Sequence, residues 1–191
     1  MHTFISIIFR YRWMGIAAIG LCCYGCSFSQ PQPSHQISSA IQSFTMDHSH
    51  NPYYSRTDTT TLHVSDAEWK KILPPEVYRV AREKGTEPPF HNRFWNFNGK
   101  GTYYCAVCGN ALFRSDAKFA SSCGWPSFFE PVRKNSVIYK PDHSFGMERT
   151  EVICARCGSH LGHVFEDGPP PTGLRYCMNS IVLDFVPDST Q

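Results

Sequence analysis

The sequence lacks an excess of charge of either sign. Its 18 basic and 16 acidic side chains give a formal charge of +2, and no basic stripe runs along it, which argues against a nucleic-acid partner. It also lacks an apolar run of the roughly 20 residues a membrane-spanning helix needs; the stretch from Trp13 to Tyr24 has 12. No long helical period follows residue 90, and no internal repeat is present beyond a duplicated CxxCG. Disorder throughout is excluded as well, because 41% of the residues are hydrophobic and 14% aromatic, enough to build a core. Cysteine, by contrast, is plentiful: nine in 191 residues.

The first 26 residues read as an address. Arg10 and Arg12 precede the apolar run, a basic-then-apolar start typical of secretory signals. Removing residues 1–25, which hold no acid, leaves 16 basic and 16 acidic side chains. Cys26 follows Gly25, as in a bacterial lipoprotein signal, although Cys23 stands where an aliphatic residue is usual. Cleavage, lipidation of Cys26 and retention as an anchor all remain open, as does a reading of Cys22, Cys23 and Cys26 as small apolar fillers. The expectation is an exported protein, periplasmic or membrane-anchored. Residues 27–61 are rich in Gln, Ser, Pro, Thr and His and predict a flexible linker; His35, His48 and His50 have no fixed scaffold there to hold a metal.

The folded part is expected over 62–187, with 188–191 as a tail. Ser65-Asp66-Ala67-Glu68 is a capping box, in which the Ser65 hydroxyl takes the Glu68 amide and Glu68 reaches back. It opens a short helix through about Ile72. Pro74 and Pro75 break that helix, Pro75 opens a second one, and Gly85 stops it. Past Pro88-Pro89 the pattern changes to β-like runs at 102–107, 127–132, 136–140, 149–154 and 174–186, separated by Gly, Pro and Asn clusters. The fold class is mainly β and antiparallel, with short N-terminal helices.

Cys105-Ala106-Val107-Cys108-Gly109 and Cys154-Ala155-Arg156-Cys157-Gly158 are two CxxCG units. Two residues between thiolates let both face one ion, and the following Gly permits the positive φ that aims backbone N–H groups at sulfur. Four thiolates complete a closed, structural Zn²⁺ site that joins segments far apart in sequence. The alternatives are two disulfides or a CxxC redox pair.

Cys123 and Cys177 remain. As one strand, 174–186 would place Arg175, Cys177 and Asn179 side by side on one face. A neighbouring cation lowers a thiol pKa and favours the nucleophilic thiolate; the alternative is a buried structural cysteine. His160-Leu161-Gly162-His163 supplies two imidazoles, and the Gly/Pro loop 167–173 returns the chain so that His163 and Cys177 fall on adjacent antiparallel strands. A thiolate beside proton donors is a nucleophile-plus-acid arrangement, against which stand core histidines or extra metal ligands. Cys123, in the Gly-containing segment Cys123-Gly124-Trp125-Pro126, is a second thiol able to approach the first, as a resolving cysteine must. Trp125 can equally be core.

The segments GTEPPF (85–90), CGWPSF (123–128) and HLGHVFEDGPPPTGLRYCMNS (160–180), with the paired CxxC units, resemble the B-type methionine-R-sulfoxide reductases over residues 64–187. The resemblance implies two antiparallel sheets with short N-terminal helices and structural zinc on Cys105, Cys108, Cys154 and Cys157. It also implies a Cys177 nucleophile, a Cys123 resolving thiol, and Trp125 packed on the substrate methyl. His160, His163, Asp167, Arg175 and Asn179 then form the polar surround. The implied partners are oxidised protein methionines and a thioredoxin-like reductant, and the chain is expected to act as a monomer. The family commonly has Asp-Ser-Gly-Cys where this chain has Ala120-Ser121-Ser122-Cys123, and the loss of that Gly predicts a stiffer approach by Cys123.

Overall fold

The computed structural model describes residues 45–189. The signal-like segment 1–26 with Cys26, residues 27–44 of the expected linker and the last two residues lie outside it. Among the described residues no helix is long and apolar enough to cross a membrane.

Helix α1 (Asp66–Ile72) starts at the expected cap, with the Ser65 hydroxyl accepting from the Glu68 amide at 3.2 Å. The reciprocal half of the capping box is absent: the Glu68 carboxylate takes Lys71 at 3.2 Å instead. The backbone turns extended at Leu73, and helix α2 (Pro75–Ala81) begins with proline in its first turn. It ends before Gly85, whose amide reaches back to Arg79 O at 2.9 Å. Trp69, Val77, Val80 and Ala81 are its and α1's buried contributions to the core.

Nine strands follow among the described residues: β1 (Gly101–Cys105), β2 (Ala111–Arg114), β3 (Lys118–Phe119), β4 (Ser127–Phe128), β5 (Val137–Asp142), β6 (Arg149–Cys154), β7 (His160–Phe165), β8 (Arg175–Met178) and β9 (Leu183–Pro187). They form a three-stranded sheet, β2-β1-β9, and a six-stranded sheet, β3-β4-β8-β7-β6-β5. Every pairing is antiparallel. Tyr103, Phe113, Phe128 and Phe185 fill the core with edge-on and stacked contacts, Phe113 on Phe128 at 4.4 Å between centroids.

The run 174–186, expected as one strand, is two strands in different sheets. A 3-10 turn (Ser180–Val182) separates β8 from β9. The cause is Glu87, a buried carboxylate whose two oxygens accept from the amides of Ser180 (2.6 Å) and Ile181 (2.9 Å). A side-chain acceptor aimed at two successive amides removes them from any strand ladder and fixes the break.

The expectation of a free linker over 27–61 does not extend to residues 45–61. Met46 and Tyr53 pack against the core. Asn51 donates to Val107 O (2.8 Å) and the Ser55 amide to Cys108 O (3.0 Å). Tyr54 and His48, stacked at 3.5 Å, both reach the buried Asp184 carboxylate, at 2.9 and 2.5 Å. Polar composition hid this arm because backbone and side-chain hydrogen bonds dock it more than apolar burial does. Its rivet is the buried Arg156 in the second CxxC unit, which donates to Tyr53 O, to Cys108 O and to the Asp58 carboxylate. Arg156→Ala should therefore lower stability by at least about 2 kcal/mol, since buried carbonyls lose charged donors. It should also expose 45–61 to protease, and the denaturation midpoint with the cleavage pattern checks both.

Candidate active site and metal centre

The two CxxC turns have the same build. Gly109 (φ 79°) and Gly158 (φ 71°) donate to Cys105 O and Cys154 O at 2.7 and 2.9 Å. A left-handed residue at that point is the glycine requirement read from the sequence. The first turn leaves β1 in the small sheet; the second joins β6 to β7 in the large one. All four thiols are buried, and their sulfurs lie within 4.8 Å of one another. Between the turns, Cys105–Cys157 and Cys108–Cys154 are 3.8 and 3.6 Å apart. Tetrahedral zinc with bonds of about 2.3 Å separates its sulfurs by about 3.8 Å, so the residues fit such an ion. None of the six described cysteines is in a disulfide.

The second cluster forms where β4, β8 and β7 lie side by side. Ser127 on β4 is in register with Cys177 on β8, and Cys177 with His163 on β7. That last pairing is the one the loop 167–173 predicts. Gly162 lets β7 and β8 close up: a methyl group there would lie 2.1 Å from Cys177 O. Cys123 enters from the loop before β4, its sulfur 3.5 Å from that of Cys177 and 3.4 Å from Ser127 Oγ. The stiffer loop expected from Ser122 is no obstacle to contact, because the sulfurs already touch.

A cleft of about 120 Å³ opens over Cys177, lined among others by Trp125, His163 and Asn179. Cys123 is not part of that lining, so of the two cysteines only Cys177 lines the cleft. Trp125 is half-buried, and its indole N–H donates to Glu87 O at 3.2 Å. Asn179 lies past the end of β8 and not beside Cys177 on one strand. It accepts from the Glu87 amide and donates to Leu161 O, each at 3.1 Å. Arg175 forks onto Asp167 through two 2.8 Å contacts and lies over the Phe165 ring at 4.5 Å; Phe165 lines the cleft, whereas Arg175 and Asp167 do not. His160 is buried and outside the lining, its Nδ1 2.8 Å from Glu151 Oε1.

Electrostatics separate these groups. The hydrogen bond from Cys177 holds the Cys123 thiol down to about 4, helped by Ser121 and Ser127 and opposed by burial. The same contact, with burial, pushes Cys177 up, while Arg175 pulls it down. The opposite shifts arise from one sulfur–sulfur contact, so they belong to the pair of thiols and not to either alone. Burial pushes His160 down despite Glu151, leaving a neutral imidazole. Burial raises Glu151, but Lys84 and His160 more than offset it. Asp142 is held well below the usual carboxylate range by Ser144, then by His163 and Arg149.

Asp142, Arg149 and Glu151 carry no local signature, and Glu87, although within the segment 85–90, shows nothing of its role in the sequence. Thr86, Arg149, Phe165 and Met178 also line the cleft.

Two thiols in contact, one of them open to a small cleft with an imidazole in register, define the site of a thiol oxidoreductase. The SelR domain matches residues 73–187. The chain is 56% identical over 123 residues to a peptide methionine sulfoxide reductase MsrB of Agrobacterium fabrum, covering 64% of this chain and 91% of that one. It is 57% identical over 121 residues to the proteins of that name from Leptospira interrogans and Methanosarcina barkeri, covering 63% of this chain and 92% and 85% of theirs. The chain belongs to the SelR family, the B-type methionine sulfoxide reductases, which are oxidoreductases.

Proposed function

We propose that this chain reduces methionine-R-sulfoxide to methionine, with Cys177 as nucleophile and Cys123 as resolving thiol. The observation that carries the reading is the contact of two thiols of which only one, Cys177, belongs to a residue lining the cleft. The Cys177 thiolate attacks the sulfoxide sulfur, and a proton from His163 goes to the oxygen, which cannot leave as an oxide. Methionine departs and Cys177 holds the oxygen as a sulfenic acid. The Cys123 thiolate then attacks the Cys177 sulfur, forming the S–S bond and releasing water. One sulfoxide and two thiols give one methionine, one disulfide and one water. A thioredoxin-like dithiol returns the disulfide to two thiols. Trp125 packs the methyl group opposite the imidazole, a placement that distinguishes the epimers at sulfur. Asp167 and Arg175, through Phe165, fix the margin where the rest of the residue lies. Methionine-R-sulfoxide, in proteins or free, is the substrate, and one chain holds every residue the reaction uses.

Zinc on Cys105, Cys108, Cys154 and Cys157 is structural: when bound it joins the two sheets and supplies no step. The basic-then-apolar start of residues 1–26 supports export, with Cys26 as the lipid site if the signal is of the lipoprotein kind; cell fractionation and the mass of the N-terminal peptide test this. Cys123→Ser tests the division between the two thiols. It should release about one methionine per chain and then stall with thioredoxin, leaving a sulfenic acid on Cys177 that dimedone labels. Normal turnover with thioredoxin, or no first-turnover methionine, would remove Cys123 from the resolving role.

A further inference from the structure

His163 is held from one side. Its Nε2 lies 2.7 Å from Asp142 Oδ2, the oxygen that also takes Arg149 at 2.8 Å. Arg149 continues to Ser144 Oγ at 3.1 Å, and Ser144 donates its amide to Asp142 Oδ1 at 3.0 Å. The carboxylate is therefore fixed at both oxygens before it meets the imidazole. Asp142 and Arg149 are in register at the turn end of the β5–β6 hairpin, and Arg149 lines the cleft with His163. The neighbouring imidazole is anchored quite differently: His160 binds Glu151 in the interior, with Lys84 on the far oxygen at 2.7 Å, and its ring meets that of His163 edge-on at 5.4 Å. Two carboxylate–histidine pairs lie side by side, and only one opens on the cleft.

We infer that Asp142 is a positioning residue for the reductase reaction: it fixes the His163 ring and its tautomer, so that Nε2–H is spent on the carboxylate and Nδ1 is the nitrogen that exchanges a proton with substrate. The inference rests on the function proposed above and deepens it. An ionised carboxylate only accepts hydrogen bonds, and the contacts that hold Asp142 keep it ionised at neutral pH. The nitrogen facing it must then carry hydrogen in both the neutral and the protonated ring. When Nδ1 carries a proton as well, the charge on the imidazolium lies beside a fixed anion. When that proton passes to the sulfoxide oxygen, the ring returns to the Nε2–H form without turning. Arg149 keeps the carboxylate from following the ring.

The test reads tautomer and chemistry separately. In the full chain labelled with ¹⁵N-histidine, neutral His163 should carry its hydrogen on Nε2. In Asp142→Asn, whose amide can donate to Nε2, the neutral form should shift to Nδ1–H, and Asp142→Glu should restore Nε2–H. Single-turnover methionine release from an R-sulfoxide peptide should fall about 100-fold in Asp142→Asn, with half-saturation changed less than about twofold. In a His163→Asn background the same change should cost less than about threefold, because it acts through the imidazole. A native His163 with hydrogen on Nδ1, or an equal loss in both backgrounds, overturns the assignment. The tautomer is read without turnover, so a native chain inactive on sulfoxide would refute the proposed function while the spectrum still decided the role of Asp142.

Discussion

Cys177→Ser should give a folded, metal-loaded chain whose sulfoxide reduction is lower by about 10⁴-fold or more. A serine hydroxyl is too weakly acidic to supply an anion at neutral pH, and oxygen bonded to sulfur could not be passed on to Cys123 as a disulfide. The fold should survive because the side chain is only half-buried, and the register of β8 with β4 and β7 rests on backbone pairing. Cys123 does not take over as nucleophile, since it does not line the cleft. Appreciable activity in Cys177→Ser would mean that it does.

The second large effect belongs to the metal site. Cys105→Ser, or removal of metal by a strong chelator, should abolish cooperative folding, whereas Cys177→Ser keeps it. The four thiols sit where the small sheet meets the large one, fully or almost fully buried. Structural zinc contributes about 10–16 kcal/mol in small zinc-finger peptides, as much as the whole stability of a domain, about 5–15 kcal/mol. Without the ion, four buried thiols face one another, and only hydrogen bonds such as those of Arg156 to Cys108 O and Asn110 to Ser136 O are left to join the two turns. Metal analysis beside a thermal unfolding scan checks this. One zinc per native chain and a broad, early transition for Cys105→Ser are expected; a metal-free chain that still unfolds cooperatively near the native temperature would contradict the structural role.

Residues with a local signature were legible in the sequence. The CxxCG turns announce themselves because ligand spacing and the glycine φ are short-range requirements. The Ser65 cap and Pro75 start are equally local. Even the His163–Cys177 register could be anticipated, since a Gly/Pro loop between two β-like runs leaves little freedom. What escaped depended on distant partners. The break between β8 and β9 is made by Glu87, more than ninety residues upstream. The arm over 45–61 looks like linker until Arg156 and Asp184 are seen to receive it. Strands β2 and β3, of four and two residues, are too short to carry a period. Asp142 and Arg149 are ordinary hairpin charges until the hairpin closes and Asp142, held by Arg149, meets His163.

The most direct measurement follows thiols and methionine together. The fully reduced native chain is mixed with an excess of a methionine-sulfoxide peptide of one defined epimer, with no reductant present. With the R epimer, about one methionine should appear per chain while two thiols are lost, and peptide mapping should find them as a Cys123–Cys177 disulfide with the four CxxC thiols untouched; the S epimer should give none. Methionine released from the S epimer, or thiols lost from the CxxC pairs instead, would contradict the account.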